Sequence, residues 1–419
     1  MKPCHSLSLR AKRSNLLSMK VAFVLPMSLE SPSGLRYLAM AKALNQRGYE
    51  VTLLALHHDL QPTTPRRLEQ DGIRVQYVGQ MHVRKVGNRK YYYPTPQLVR
   101  IALASTWRLM VRATQEACDL IHLGKPQPVN GLAGLLAGRV LRHRRLYLDC
   151  DDYEAESNRF TGAWLKRVVV AFEDGLPRFA AGLTTNTRFT EGRLVCLGVD
   201  PQRIAYVPNG VDRARFAMPS PAQVEALRRQ WEVESRPVVG YVGSLSLTSH
   251  SVDLLLEALA QVLVTCSNAV LLLVGGGEDY DEVRRRSATL GLDRAVRFVG
   301  RVSPAEAPAY YALADVTVDP VRDDLVARAR SPLKIVESLA VGTPVVTGDV
   351  GDRREMLADG QAGILVAPGS ARALADGLMQ ILGDRDRAQE LSRGAMAQRE
   401  EFYWDRLVDK VVQLYERLG

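Results

Sequence analysis

The sequence predicts an α/β protein of two Rossmann-like domains, each built on a parallel sheet. Three observations predict it. The chain opens on an apolar run at 21–25, a Ser- and Pro-rich loop at 26–33, a helical apolar pattern from Gly34 to Arg47 and a second apolar run at 50–56; this strand–loop–helix–strand order belongs to parallel sheets. The same rhythm restarts at residue 237. A length of 419 residues exceeds what one hydrophobic core supports and suggests two or three domains.

Residues 1–18 are basic and unpatterned and read as a disordered tail or a mis-assigned start, with Met19 the natural beginning. Residues 19–212 form the first expected domain. After the opening unit, in which Gly34 lets backbone approach a ligand at a strand end, residues 74–78 read as a strand. Residues 91–96, Tyr-Tyr-Tyr-Pro-Thr-Pro, read as a mobile loop lining the acceptor side or as a plain surface loop. A helix over 97–117 and a strand over 119–123 follow, then a helix over 129–141 and a strand over 146–148 ending in Asp149-Cys-Asp-Asp152. Two more helix–strand pairs lead to the turn Pro208-Asn-Gly-Val-Asp212, where Asn-Gly favours a tight turn.

Residues 213–236 read as a linker with one short helix, 237–395 as the second domain and 396–419 as a terminal helix with Phe402, Trp404, Leu407, Val411 and Leu414 on one face. Within the second domain the strand at 270–274 runs into Gly275-Gly-Gly-Glu278, which lacks the spacing of a dinucleotide fingerprint. The stretch from Arg328 to Thr347 organises this half. Ser331 is expected as helix N-cap, Pro332 as first helical residue, Leu333–341 as the helix and Gly342 as its end. A helix start exposes backbone N–H groups and a positive dipole end. With Arg328, Arg330 and Lys334 beside it, this start is a seat for a diphosphate, Glu337 being placed for sugar hydroxyls. A capped helix with solvated basic residues would look the same in sequence.

The net charge is +9, and the first twenty residues hold five basic and no acidic side chains, so the rest is only mildly basic. No basic stripe interleaves with aromatics, which argues against a nucleic-acid partner. Arg84-Lys85, Arg89-Lys90, Arg139 and 142–145 are local basic clusters, either solvated faces or weak contacts with anionic lipid. No run is long and apolar enough for a membrane span or a signal peptide, and five scattered cysteines read as free thiols. The expected setting is cytoplasmic, peripheral at the inner membrane face if the clusters touch lipid.

Ser331-Pro-Leu-Lys-x-x-Glu337 followed by Leu-Ala-x-Gly-x-Pro-Val-Val resembles the donor motif of retaining glycosyltransferases of family 4, and the Pro208–Asp212 turn matches that family's turn. The resemblance covers about residues 19–419. It implies the GT-B fold, two Rossmann-like domains facing each other across a cleft, with the terminal helix crossing back to the first. It implies transfer from a nucleotide-diphosphate sugar, without metal or other cofactor, to a glycan, lipid-linked or small-molecule acceptor in cell-envelope or exopolysaccharide synthesis. Configuration is retained, by front-face attack. Catalytic roles fall on Lys334, Arg330 and Glu337. Donor contacts fall on Gly243, Ser244, Gly276, Arg301, Val302, Ser303, Ser331, Pro332, Leu333, Lys334 and Glu337, with Glu337 on the ribose. The acceptor side takes Ser33, Gly34, His122, Lys125, Asp151 and Asp152; His122 reads equally as a core histidine, and the two aspartates as helix caps. The chain departs from the family in three places: Ser244 stands for an Arg and His250 near a Lys, Ala329 for a Glu, and Gly124 for a His. An epimerase on this fold, or a binding protein that turns nothing over, are the alternatives, with a Rossmann oxidoreductase more distant.

Overall fold

The computed structural model describes residues 19–418 apart from 87–88, 158–159 and 161; the tail expected at 1–18 lies outside them. The chain divides into two compact units, Met1–Val207 with Val408–Gly419, and Pro208–Leu407.

The strands of the first unit are β1 (Lys20–Leu25), β2 (Glu50–His57), β3 (Arg67–Gln70), β4 (Ile73–Gln80), β5 (Val83–Val86), β6 (Arg89–Tyr92), β7 (Leu120–Gly124), β8 (Arg145–Cys150), β9 (Gly182–Thr185) and β10 (Ile204–Tyr206). Eight of them make one sheet in the order β10-β9-β8-β7-β1-β2-β4-β3, parallel except for the edge pair β3–β4. Central β1 is apolar on both faces because helices cover both; its Phe23 pairs with Leu53 of β2 and His122 of β7. β5 and β6 form a separate antiparallel hairpin. Tyr91 and Tyr92 therefore lie in a strand, not in the expected loop, because Val83–Val86 supplies a pairing partner. The first helix is Pro32–Gln46, two residues earlier than expected: Ser31 Oγ accepts from Gly34 N at 3.0 Å, and Pro32 takes the first helical position. Gly34 cannot carry a side chain, since a Cβ there would lie 2.2 Å from Ser28 O.

The second unit holds β11 (Val238–Val242), β12 (Val270–Val274), β13 (Val296–Gly300), β14 (Val316–Asp319), β15 (Val345–Gly348) and β16 (Gly363–Val366). They form a parallel sheet in the order β13-β12-β11-β14-β15-β16, the doubly wound arrangement whose chain order reverses between β11 and β14. The helix Pro221–Gln230, begun by a Ser220–Gln223 capping box, packs on this unit, with Arg228 Nη1 donating to Leu313 O at 2.9 Å. The Pro208–Asp212 turn is held by the segment before the terminal helix. Trp404 Nε1 donates to Gly210 O at 2.9 Å, and a Cβ on Gly210 would lie 2.6 Å from Phe402 O. The helix Trp404–Arg417 begins in the second unit, and its residues from Val408 onward belong to the first.

Candidate active site

In the second unit the chemistry gathers where the chain order reverses. Asp319 ends β14 and Gly243 follows β11, so both stand at the carboxyl edge where such sheets bind ligands. Asp319 is buried; its Oδ2 accepts from Arg353 Nε at 2.8 Å, and its Oδ1 lies 3.1 Å from Lys334 Nζ. Burial disfavours the charge on Asp319, but Arg353 and Lys334 outweigh it and hold the carboxyl below its ordinary range. Lys334 Nζ sits 4.7 Å from the centre of the Tyr241 ring and, among the described residues, has no hydrogen-bond acceptor other than Asp319. Burial lowers its pKa, and Asp319 opposes that. A buried ammonium with unused N–H groups suits an anionic ligand.

Lys334 lies in the first turn of the helix Leu333–Ala340, whose N-cap is Pro332, with no side-chain cap bond. Ser331 is not the cap. Its Oγ accepts from Asn209 N at 3.1 Å and its carbonyl from Asn209 Nδ2 at 2.7 Å, because the 208–212 turn is packed against it. The first N–H groups of the helix thus receive no side-chain cap bond, which leaves them for an anion. The adjoining wall is backbone on backbone. Leu245 N donates to Gly276 O at 3.0 Å, and a Cβ on Gly275, at φ +138°, would lie 1.9 Å from Gly243 O. Ser244 is exposed on this wall and gives its carbonyl to Tyr241 OH at 2.6 Å.

The basic residues divide. Arg330 Nη1 donates to Ser249 O at 2.5 Å and stands 3.4 Å from His250 Nδ1. Burial, then Lys334 and Arg330, push His250 well below the usual histidine value, so it is neutral near pH 7. Arg328 is exposed and paired with Asp323 at 2.7 and 2.8 Å. The expected three-residue charge cluster is thus reduced to Lys334 and Arg330, because Asp323 neutralises Arg328 locally. Ala329, where the family has a glutamate, is buried.

Glu337 accepts from Arg215 Nη2 at 3.1 Å and from Tyr311 OH at 2.8 Å. Burial raises its pKa, and the Arg215 charge and the Tyr311 hydrogen bond counter that. Arg215 also donates to Pro304 O at 3.3 Å, tying Glu337 to the segment that holds Arg301, Val302 and Ser303. Arg301 and Ser303 are exposed and Val302 half-buried. Pro332 is buried and Leu333 half-buried.

In the first unit, Lys125 follows β7 in the left-handed region, φ +70°, a strained conformation for a side chain with a Cβ. Buried Asn130 holds it there, its Nδ2 donating to Gly124 O at 2.8 Å and Lys125 O at 3.0 Å. Lys125 Nζ lies 2.5 Å from Asp152 Oδ2, 2.7 Å from Glu154 Oε1 and 3.2 Å from Asp151 Oδ1. These carboxylate oxygens lie within 4.8 Å of one another, and the lysine ammonium supplies the positive charge they converge on. Burial and the neighbouring carboxylates, against the pull of Lys125, push Asp151 up to about 7. Asp149 takes no part: it is buried, paired with Arg36 Nε and Nη2 at 3.0 and 3.1 Å and hydrogen-bonded by Thr184. Ser33 and Gly34 lie in the first turn of the helix Pro32–Gln46.

His122 is a core residue rather than an acceptor-side one. It is fully buried, its ring is stacked 4.9 Å from Phe23, and its Nδ1 lies 2.5 Å from Tyr415 OH. Nor can Gly124 be replaced by histidine without rearrangement: a Cβ there would lie 2.7 Å from the Tyr37 ring. Burial pushes His122 from the ordinary 6.5 to about 4. An unfolded chain protonates this histidine at about 6.5 while the folded one does not. Its stability contribution is therefore intact above that pH and falls as pH drops toward 4, by about 3 kcal/mol in all. Urea midpoints measured between pH 7 and 4.5 should fall less steeply in His122→Phe than in wild type; equal slopes would remove His122 as a source of acid sensitivity.

Sequence reasoning missed Asp319, Arg353, Arg215, Tyr241, Tyr311 and Asn130. Only Asp319, a carboxylate at a predicted strand end, carried a local signal.

Known proteins resemble the chain along most of its length. A model of the glycosyl transferases group 1 matches residues 236–384, and one of a glycosyl transferase 4-like domain matches residues 34–210. The GDP-mannose-dependent alpha-(1-6)-phosphatidylinositol monomannoside mannosyltransferase of Mycobacterium tuberculosis (strain CDC 1551 / Oshkosh) is 32% identical over 235 residues, 55% of this chain and 60% of that one. The D-inositol 3-phosphate glycosyltransferase of Acidothermus cellulolyticus is 34% identical over 244 residues, 56% and 52% of the two chains. The matches thus span between half and 60% of these relatives. The structure of sucrose-phosphate synthase from Thermosynechococcus elongatus superposes with a TM-score of 0.77 at 20% identity, covering 96% of this chain and 99% of that one, which shows a common fold.

Proposed function

The chain belongs to the group 1 glycosyl transferases and has their GT-B fold, and on that premise we propose that it moves a sugar from a nucleotide-diphosphate sugar to an acceptor hydroxyl with retention of configuration. The observation that carries this reading is Lys334, a buried ammonium with unused N–H groups at an uncapped helix start. Cleavage of the sugar–phosphate bond leaves negative charge on the diphosphate. Lys334, Arg330 and the helix N–H groups meet that charge where it develops. Glu337, fixed by Arg215 and Tyr311, holds the ribose. The Gly243–Gly276 wall bounds the diphosphate, and the Arg301–Ser303 segment the base. On the acceptor side Lys125 orients Asp151 and Asp152 toward hydroxyls, and the leaving diphosphate takes the acceptor proton.

GDP-mannose is the donor, the sugar nucleotide on which the mycobacterial relative depends. The acceptor class is an inositol lipid or a related envelope glycan, as for the phosphatidylinositol monomannoside and inositol phosphate glycosyltransferases it resembles. No helix among the described residues is long and apolar enough to cross a membrane. Ser244 and His250, standing where the family places an Arg and a Lys, favour a second reading, nucleotide-sugar binding without turnover.

A thermal-shift series with GDP, UDP, ADP and their sugars tests both readings, since a ligand that binds only the folded state raises Tm with concentration. GDP-mannose is expected to give the largest shift. Transfer without a Tm response to any donor is excluded by this reading, and a response without transfer to any acceptor favours the second. Glu337→Ala should weaken donor binding about 10- to 100-fold, the loss of a hydrogen bond to a charged group; unchanged affinity would remove Glu337 from the ribose site.

A further inference from the structure

The helix Thr95–Gln115 is apolar on the wrong side for a buried element. Its inward face carries Ser105, Leu109 and Ala113. Val99, Leu103 and Trp107 recur at the same four-residue spacing, offset by two positions, which is about 200° around the helix. They are accordingly exposed, Leu103 at 66% and Trp107 at 64%. Next to this stripe, a groove beside Trp107 is lined by Arg66, Arg67, Arg108 and Arg112. None of these four pairs with a carboxylate among the described residues; Arg112 donates to the neutral Gln76 and Gln115 side chains. The neighbouring segment continues the pattern. Val140 and Leu141 are exposed, and Arg139, Arg142 and Arg144 donate to the carbonyls of Phe179, Thr114 and Ala113. Neither residues 95–115 nor residues 128–145 contain an aspartate or glutamate.

An exposed aliphatic and tryptophan stripe flanked by arginines without acidic partners complements a surface that is apolar below and anionic above. We propose that this face of the first unit docks on an anionic lipid bilayer, Leu103 and Trp107 entering the interface and the four-arginine groove taking lipid phosphate. Arginine and tryptophan suit that boundary because each has one end that tolerates hydrocarbon and another that binds headgroups. The docking face is separate from the donor site and does not depend on the donor reading.

The test is co-sedimentation of the full chain with vesicles of phosphatidylcholine mixed with phosphatidylglycerol, and with pure phosphatidylcholine, without donor. Binding to the anionic vesicles only, weakened by salt, is expected. Trp107→Glu should reduce it about tenfold, and Arg66→Gln with Arg67→Gln by at least as much. Tm and nucleotide-induced Tm shifts should stay at wild-type values in both variants, which separates lost docking from a damaged fold or donor site. Equal binding to both vesicle types, no binding to either, wild-type binding by both variants, or duplex DNA competing away the vesicles each overturns the proposal.

Discussion

Lys334→Met should lower kcat by about 10²- to 10³-fold, the cost typical of removing one group that stabilises developing negative charge. Methionine keeps the length and apolar stem of the side chain, so the packing on Tyr241 and Gly243 survives. Asp319 keeps Arg353, whose Nε donates to it at 2.8 Å, so no buried carboxylate is left alone. The loss therefore falls on turnover, with Tm nearly unchanged. Initial rates with the donor found by thermal shift measure it. A variant with wild-type kcat would show that the diphosphate charge is met elsewhere, and a rate loss matched by a large drop in Tm would make Lys334 structural. Arg330→Gln should have the smaller effect, since Arg330 is held by the Ser249 carbonyl at the edge of the cluster.

Arg36→Met should destabilise the first unit by about 3–5 kcal/mol. Arg36 and Asp149 are both buried, joined by two hydrogen bonds at 3.0 and 3.1 Å, and Arg36 also donates to Val207 O at 2.8 Å. Removing the cation leaves Asp149 charged in the interior beside Thr184, with nothing of opposite sign in contact. The carboxyl answers by protonating, so the penalty should shrink as pH falls. Replacing Asp149 by Asn as well should recover part of the loss, because the uncompensated charge goes with it. Urea titrations of the two variants at pH 7 and pH 5 distinguish this from simple loss of packing, which would be pH-independent and not rescued.

Much of this was legible in the sequence. Apolar runs at 21–25, 50–56, 237–242 and 270–274 read as interior parallel strands because only burial on both faces tolerates such runs. Gly34 marked a place where backbone must pass close, and there a Cβ would clash with Ser28 O; the same close approach at Gly275 and Gly277 came from the structure alone. The 331–337 motif located the basic helix start.

The amino-acid sequence by itself determined the alternation of strands and helices, the two parallel sheets, and the placing of Lys334 and Glu337 on one short helix. These are local properties, set by the period of apolar residues and by the few conformations Gly and Pro permit. Only the tertiary structure decided which charges work. It gave Arg328 to Asp323 and left Lys334 with unused donors; it set Arg215 on Glu337, 122 positions away. It took His122 into the core against Tyr415, 293 positions on. Such pairings depend on distances closed by the fold, and no spacing along the chain encodes them.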